Sequence, residues 1–344
     1  MTVADSLPAS ARVVVRAPNW LGDAVMAMPA MAALRRGLPG RTVILAARAS
    51  IAPLFREITP AAPDEVATLE IDREADQLRA LRADAILLLP NSFGSAWTAK
   101  RAGIAERWGY RSSGRSLILT RGVVRPRGRV HQVEYYAVLA RGLGFDAPEG
   151  ERPSLSASPA SLERADRLLA SAPAASGLSR TFVAFAPGAA YGHAKRWPPD
   201  RVAQVIARLS GEGVAAVLLG ARDDRETGRA IESTLSAGAR VVNLIGRTSL
   251  GELVGVIARA SAFVSNDSGA MHIAAALGVP LTAIFGPTDE RVTAPAGVAD
   301  VILRDVFCRP CMLRECPIDH RCMKRIDVDS VFASVTSHLP KAGA

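Results

Sequence analysis

Aromatic residues make up only 5% of this 344-residue chain, too few for a platform that stacks single-stranded nucleic acid. No helix-turn-helix, zinc-finger or RNA-recognition signature is present either. No apolar run approaches the length of about 18 residues that a membrane-spanning helix needs. Met1 to Ser10 has no basic n-region and no apolar core. A signal peptide is therefore not expected, and a cytoplasmic location is. Cysteine is scarce, with four residues that all fall between positions 308 and 322. A reducing compartment disfavours pairing them as disulfides. No short-period repeat is visible.

What is present describes a globular chain, 49% hydrophobic and 22% charged. Its length exceeds one comfortable core, so two domains are expected. Forty-two Lys and Arg against 33 Asp and Glu give a net charge of +9. Such a balance suits nucleic acid, an anionic membrane surface or a phosphorylated substrate. The missing nucleic-acid signatures favour the last two.

Continuous apolar runs alternate with helical patterns along the chain. Val13-Val14-Val15 reads as a strand, closed by Ala17-Pro18-Asn19. Val25, Met28, Met31 and Leu34 follow at helical spacing, with Pro29 kinking that helix or opening its main part. Thr42 to Ala46 and Ala85 to Leu89 read as strands, and His131 to Leu143 as a helix. Asp146 to Arg180 shifts to Ala, Ser and Pro and carries one helix from about Ser161 to Ala170. A second series has strands Phe182–Phe185, Ala215–Leu219 and Val241–Ile245, with a helix over Pro199–Ser210. The expected division is 1–155, a linker at 156–180, and 181–344. Apolar strands alternating with helices predict an α/β fold with parallel sheets covered on both faces.

Phe263 to Asp289 is the most informative stretch: an apolar run, Asn266-Asp267-Ser268-Gly269, a small-residue helix over Ala270–Leu277, and a second apolar run from Pro280 to Phe285. Its turn presents backbone N–H groups and a hydroxyl at a helix N-terminus, either as a phosphate seat or as an ordinary cap. Polar turns recur at the other strand ends: Asn19–Asp23, Asn91–Ser92, Gly188–Lys195 and Gly220–Asp224. Ligands of open α/β sheets sit at such ends, so two sheets facing one another would gather these turns at an interdomain cleft.

Several side chains there carry chemistry. Asp23 is either a base or a helix cap. Lys195 and Arg196 either neutralise a diphosphate or form a solvated basic loop, and Trp197 reads as packing. Asp224, with Asp223 competing, sits where acidic residues hydrogen-bond a ribose. His272 lies one turn into the small-residue helix, beside a bound phosphate or as a structural histidine. Arg121, Arg125, Arg127 and Arg129 cluster in a Gly/Pro-containing loop, where they suit an acceptor's phosphates or an anionic bilayer. Cys308, Cys311, Cys316, His320 and Cys322 supply five ligands where zinc needs four, although their spacing matches no standard knuckle. A local thiol cluster is the other reading.

Ala17-Pro-Asn-Trp-Leu-Gly-Asp23, Gly188 to Pro198 ending in Ala-Lys-Arg-Trp-Pro, Val241 to Leu250, Asn266-Asp-Ser-Gly-Ala-Met-His272, Phe285-Gly-Pro-Thr-Asp289 and the Cys308–Met323 cluster run in order along nearly the whole chain. Together they resemble the ADP-heptose–lipopolysaccharide heptosyltransferases of glycosyltransferase family 9, nearest the heptosyltransferase II branch. The resemblance implies a GT-B fold of two Rossmann-like domains, with the acceptor on the first and the nucleotide sugar on the second. It implies inverting, metal-independent transfer of heptose from ADP-heptose to the lipopolysaccharide inner core.

By the same resemblance Asp23 is the general base and Lys195 stabilises the departing diphosphate. Ser268 and Gly269 cradle phosphate, Asp267 contacts heptose hydroxyls, Asp224 the ribose, and His272 supports the donor site. Asn19, Trp20, Arg125 and Arg127 are expected at the acceptor, with peripheral contact at the inner membrane's cytoplasmic face and no nucleic acid. No cofactor is expected for catalysis, and a structural zinc at the cysteines is the one metal considered. The chain carries Ala189-Ala190-Tyr191 where relatives often have hydroxyl or acidic residues. A related transferase with another nucleotide sugar or acceptor, and a non-catalytic nucleotide-binding protein, are the competing readings.

Overall fold

The computed structural model describes residues 3–172 and 181–340, in two compact units divided at Leu155 and Ser156. In the first unit the strands are β1 (Arg12–Arg16), β2 (Thr42–Arg48), β3 (Glu65–Leu69), β4 (Ala85–Leu88), β5 (Glu106–Tyr110) and β6 (Arg121–Val123). The helices are α1 (Leu21–Met26), α2 (Met28–Gly37), α3 (Glu74–Ala80), α4 (Phe93–Arg101) and α5 (Gln132–Gly142). The sheet order is β3-β2-β1-β4-β5-β6, with every neighbouring pair parallel. Val13, Val14 and Val15 are completely buried, so β1 has no solvent face. Each such side chain contributes about 1.5–3 kcal/mol of hydrophobic stabilisation. Pro29 opens α2 as one of its first two residues, where its missing N–H costs no hydrogen bond. The apolar period there is thus shared between two short helices.

The second unit carries β7 (Phe182–Ala186), β8 (Ala215–Leu218), β9 (Val241–Asn243), β10 (Ala262–Asn266), β11 (Leu281–Ile284) and β12 (Ala299–Ile302). Around them lie α6 (Pro159–Ala170), α7 (Pro199–Gly211), α8 (Arg225–Thr234), α9 (Leu250–Arg259), α10 (Gly269–Ala276), α11 (Glu290–Thr293), α12 (Arg321–Lys324) and α13 (Val328–Ser337). Its order, β12-β11-β10-β7-β8-β9, is again wholly parallel. Counted from its own first strand, this is the 3-2-1-4-5-6 order of the first unit read from the other edge. Two Rossmann-like units, the pairing of the GT-B fold, result.

Each sheet reverses direction between its first and fourth strands, and a crevice opens beyond the carboxyl ends at that switch point. In the first unit these ends are Arg16 and Leu88; in the second they are Ala186 and Asn266. Helix α6 packs on α9 with Ser161 and Ala165 buried. Of the stretch read as a linker, the described part therefore holds a helix seated on the second unit; 173–180 lie outside the described residues.

Candidate functional site

In the first unit, β1 ends at Arg16, a side chain only 2% exposed. Its guanidinium donates to Glu74 at 2.7 Å, to the Ala17 carbonyl and to Asn19 Oδ1 at 2.8 Å. Arg48, at the end of β2, holds the other Glu74 oxygen at 2.6 Å. Glu74 thereby pins the turn that leads into α1. Breaking such a buried pair from one side costs about 3–5 kcal/mol. Asn19 is spent on this brace, whereas Trp20 beside it is half exposed.

Asp23 stands in the first turn of α1. The Tyr136 phenol, on buried α5, donates to its carboxylate, and Gln132 donates to the phenol oxygen. Burial pushes Tyr136 well above the ordinary tyrosine range, so it remains a donor.

A second brace lies beyond β4 and β5. Arg115, fully buried, donates to the carbonyls of Tyr110 and Pro90 and to Asn91 Oδ1. No carboxylate pairs with it among the described residues, and burial pulls its guanidinium down to about 10. Arg125 lies 5.6 Å from the Tyr135 ring, and Arg127 is exposed. Of the arginines expected in one loop, Arg121 instead opens edge strand β6. Charge on an edge strand also discourages edge-to-edge pairing.

In the second unit, β10 ends at buried Asn266, and buried Asp267 follows it. The Asn266 amide ties two loops together, donating to Pro187 O at 2.6 Å and accepting from the Trp197 N–H at 3.2 Å. Asp267 Oδ2 receives the Lys195 ammonium at 2.6 Å and the Thr288 hydroxyl at 2.7 Å. Lys195 also lies 4.9 Å from the Tyr191 ring. Tyr191 thus supplies a cation–π contact where a hydroxyl or carboxylate would have supplied a polar one.

Ser268 precedes α10 but forms no side-chain cap; its hydroxyl lies 3.0 Å from that of Ser265. The first N–H groups of α10 thus keep the positive end of the helix unscreened by a side-chain cap, as an anion seat requires. His272, 4% exposed, sits one turn inside the same helix. Trp197 is packing: it is 1% exposed, and its indole donates to Ile326 O.

Asp224 is engaged on both oxygens, by Arg196 at 3.1 Å and by the Ala221 N–H at 3.0 Å. A Cβ at Gly188 would stand 2.1 Å from its carboxylate carbon, so only glycine admits this contact. Asp224 locks the β7 turn to the β8 turn, while Asp223 on that turn is exposed.

Among the described residues no three His, Cys, Asp or Glu side chains converge into a metal-binding group. Cys308, Cys311, Cys316, His320 and Cys322 thus give the expected structural zinc no support. His320 Nε2 faces the Ala194 carbonyl at 2.7 Å, and its N–H meets Cys316 Sγ at 3.2 Å. Burial raises the Cys322 thiol above its ordinary value.

Asp23, Asn19, Trp20, Arg125 and Arg127 belong to the first unit; Lys195, Asp224, Asp267, Ser268, Gly269 and His272 belong to the second. Sequence reasoning missed Tyr136, Gln132, Arg115 and the specific role of Thr288. Thr288 lies within the Phe285-Gly-Pro-Thr-Asp289 motif. Tyr136 was hidden in an apolar helix pattern that carries no polar signature.

Residues 72–321 match the family model described as glycosyltransferase family 9 (heptosyltransferase). The lipopolysaccharide heptosyltransferase 2 of Salmonella typhimurium is 34% identical over 83% of this chain and 85% of its own length. That of Escherichia coli is 32% identical, with the same two coverages. Among solved structures, E. coli ADP-heptose LPS heptosyltransferase II superposes with a TM-score of 0.81 at 30% identity, over 97% of this chain and 100% of that one. E. coli heptosyltransferase WaaC with ADP, at 20% identity and a TM-score of 0.69 over 95% and 99%, shares the fold.

Proposed function

The chain belongs to glycosyltransferase family 9, the heptosyltransferases, and from that premise we propose that it transfers heptose from ADP-heptose to the inner core of lipopolysaccharide. The observation that carries the donor half is the Lys195–Asp267–Thr288 cluster beside the uncapped N-terminus of α10, at the switch point of a Rossmann-like sheet. A diphosphate is the ligand class that answers a lysine and a row of backbone N–H groups together.

In the proposed reaction an acceptor hydroxyl attacks the anomeric carbon of the heptose with inversion. The bond from that carbon to the diphosphate oxygen breaks, and its electron pair leaves with ADP. Asp23 takes the hydroxyl proton; Tyr136, donating to its carboxylate, fixes its orientation. Lys195 stabilises the charge that develops on the leaving diphosphate, joined by Ser268 and Gly269. Asp267 sets the lysine and offers its remaining oxygen to the sugar. Asp224 shapes the ribose side through the loops it locks, and His272 supports the seat from within α10. No metal enters these steps.

On the acceptor side, Asn19 and Trp20 shape the surface beside Asp23, and exposed Arg125 and Arg127 meet the acceptor's anionic groups. No described helix is long and apolar enough to cross a membrane. Peripheral contact of the arginine-rich 121–129 segment with the cytoplasmic face of the inner membrane is the corresponding proposal.

The test is release of ADP from ADP-heptose in the presence of an inner-core acceptor, with UDP-sugars in parallel. Acceptor-dependent ADP release is expected. Turnover of a UDP-sugar with none of ADP-heptose would overturn the reading.

A further inference from the structure

The cysteine-bearing segment 308–322 lies apart from the proposed chemistry, yet it touches the donor cluster from two directions. On one side, Arg309 donates to the carbonyls of Gly286 at 2.8 Å and Thr288 at 3.1 Å, and Met312 N–H donates to Pro287 O at 3.0 Å. The guanidinium also pairs with Glu290 at 2.5 Å and is only 7% exposed. This side holds the turn that carries Thr288.

On the other side, the segment holds the loop that carries Lys195. Ala194 N–H donates to Arg314 O at 2.9 Å, and the Tyr191 hydroxyl to Met312 O at 2.9 Å. His320 Nε2 donates to Ala194 O at 2.7 Å, so both backbone groups of Ala194 are taken. A Cβ at Gly192 would lie 2.4 Å from Arg314 O. The two backbones therefore run in direct contact.

Lys195 and Thr288 meet on the same Asp267 oxygen. Contacts therefore lead from Lys195 through Asp267 and Thr288 to Arg309, and from Ala194, the residue before Lys195, to His320; the backbone between Arg309 and His320 joins the two ends. His320 takes a left-handed φ of +59°, uncommon for a residue with a Cβ. Its N–H bond to Cys316 Sγ offsets that cost. Strain of this kind persists where neighbours over-determine the position.

We propose that segment 308–322 is a strut that sets the distance between the two donor loops, and that His320 is a positioning residue acting through Ala194 on Lys195. The proposal rests on the reading of Lys195 as the diphosphate contact. It gives the segment a mechanical role that needs no metal. A lysine displaced by about an ångström loses much of its transition-state contact, on the order of a hundred-fold at most.

A double-mutant cycle on the full chain tests it, with ADP affinity by calorimetry and kcat and KM for ADP-heptose as readouts. His320→Ala should lower kcat about ten- to a hundred-fold and weaken ADP. His320→Gln keeps a side-chain N–H for Ala194 O and should restore most of both. In a Lys195→Ala background, His320→Ala should add little, because its effect runs through the lysine. Additive losses in the cycle, or equal losses for Ala and Gln, overturn the strut. If Lys195→Ala leaves ADP affinity and kcat unchanged, the diphosphate reading fails first and the proposal with it. Should His320→Ala not fold, Tyr191→Phe, which removes only the bond to Met312 O, takes its place in the cycle; additivity there overturns the proposal equally.

Discussion

The two units share one sheet order and one strand polarity, yet they set different polar groups at their strand ends. In the second unit cations and carboxylates are already paired: Lys195 with Asp267, Arg196 with Asp224. In the first, Glu74 pairs with both Arg16 and Arg48, Tyr136 hydrogen-bonds Asp23, and buried Arg115 meets carbonyl and amide oxygens. On the proposed reading, the paired lysine is already in position for the departing diphosphate. On the proposed roles, one scaffold would serve leaving-group stabilisation in one copy and proton acceptance in the other, because the fold fixes where the strand ends lie and not what stands on them.

The largest expected effect separates the two roles. Asp23→Ala should reduce turnover by about 10²–10⁴-fold while ADP affinity, assigned to the second unit in the proposed reaction, stays within twofold; unchanged turnover would end the base assignment. Lys195→Ala should reverse the pattern, weakening ADP and lowering kcat by about 10²–10³-fold. Loss of ADP affinity in the Asp23 variant instead of the Lys195 variant would invert the comparison.

Tyr136→Phe keeps the buried ring and removes the donor to Asp23. A carboxylate without that donor binds a proton more readily. The acidic limb of the kcat/KM profile should therefore move to higher pH, by about one unit if the bond is worth roughly 1.5 kcal/mol. An unmoved limb together with a dead Asp23 variant would make Tyr136 merely structural.

The smallest effect concerns stability alone. Asp327 caps α13 by accepting from the Ser330 N–H at 2.7 Å and also pairs with Arg304. The Ser330 N–H and hydroxyl, with the Arg304 pair, hold its carboxyl down to about 2. A depressed folded value means that its contribution is present above the unfolded value, about 3.9, and is lost as pH falls through 2. Asp327→Ala should cost about 1 kcal/mol at neutral pH and nothing below pH 2, read by thermal melts. It should leave ADP affinity alone, which distinguishes a cap from the donor-site contacts nearby.

Strand β1, the Pro29 break and the β10-turn-α10 unit were legible because apolar runs and breakers report local preference directly. Strand β3, with Glu65 at its head, and Arg-opened β6 were not, since edge strands lack the continuous apolar run of buried ones. Asp23, Lys195 and Asp267 stood out as polar groups at strand ends. Asp224 was legible as a residue but not in its task, because the Gly188 turn it locks comes from 36 positions away.

What the sequence determined by itself was the parallel α/β architecture, the tandem of two units and the polar residues at the strand ends, since each follows from local pattern. Tertiary structure alone decided their partners. Tyr136 reaches Asp23, Thr288 reaches Asp267, and His320 reaches Ala194 across gaps of 113, 21 and 126 positions. Such contacts depend on how distant segments stack on the sheets, and no local propensity encodes that.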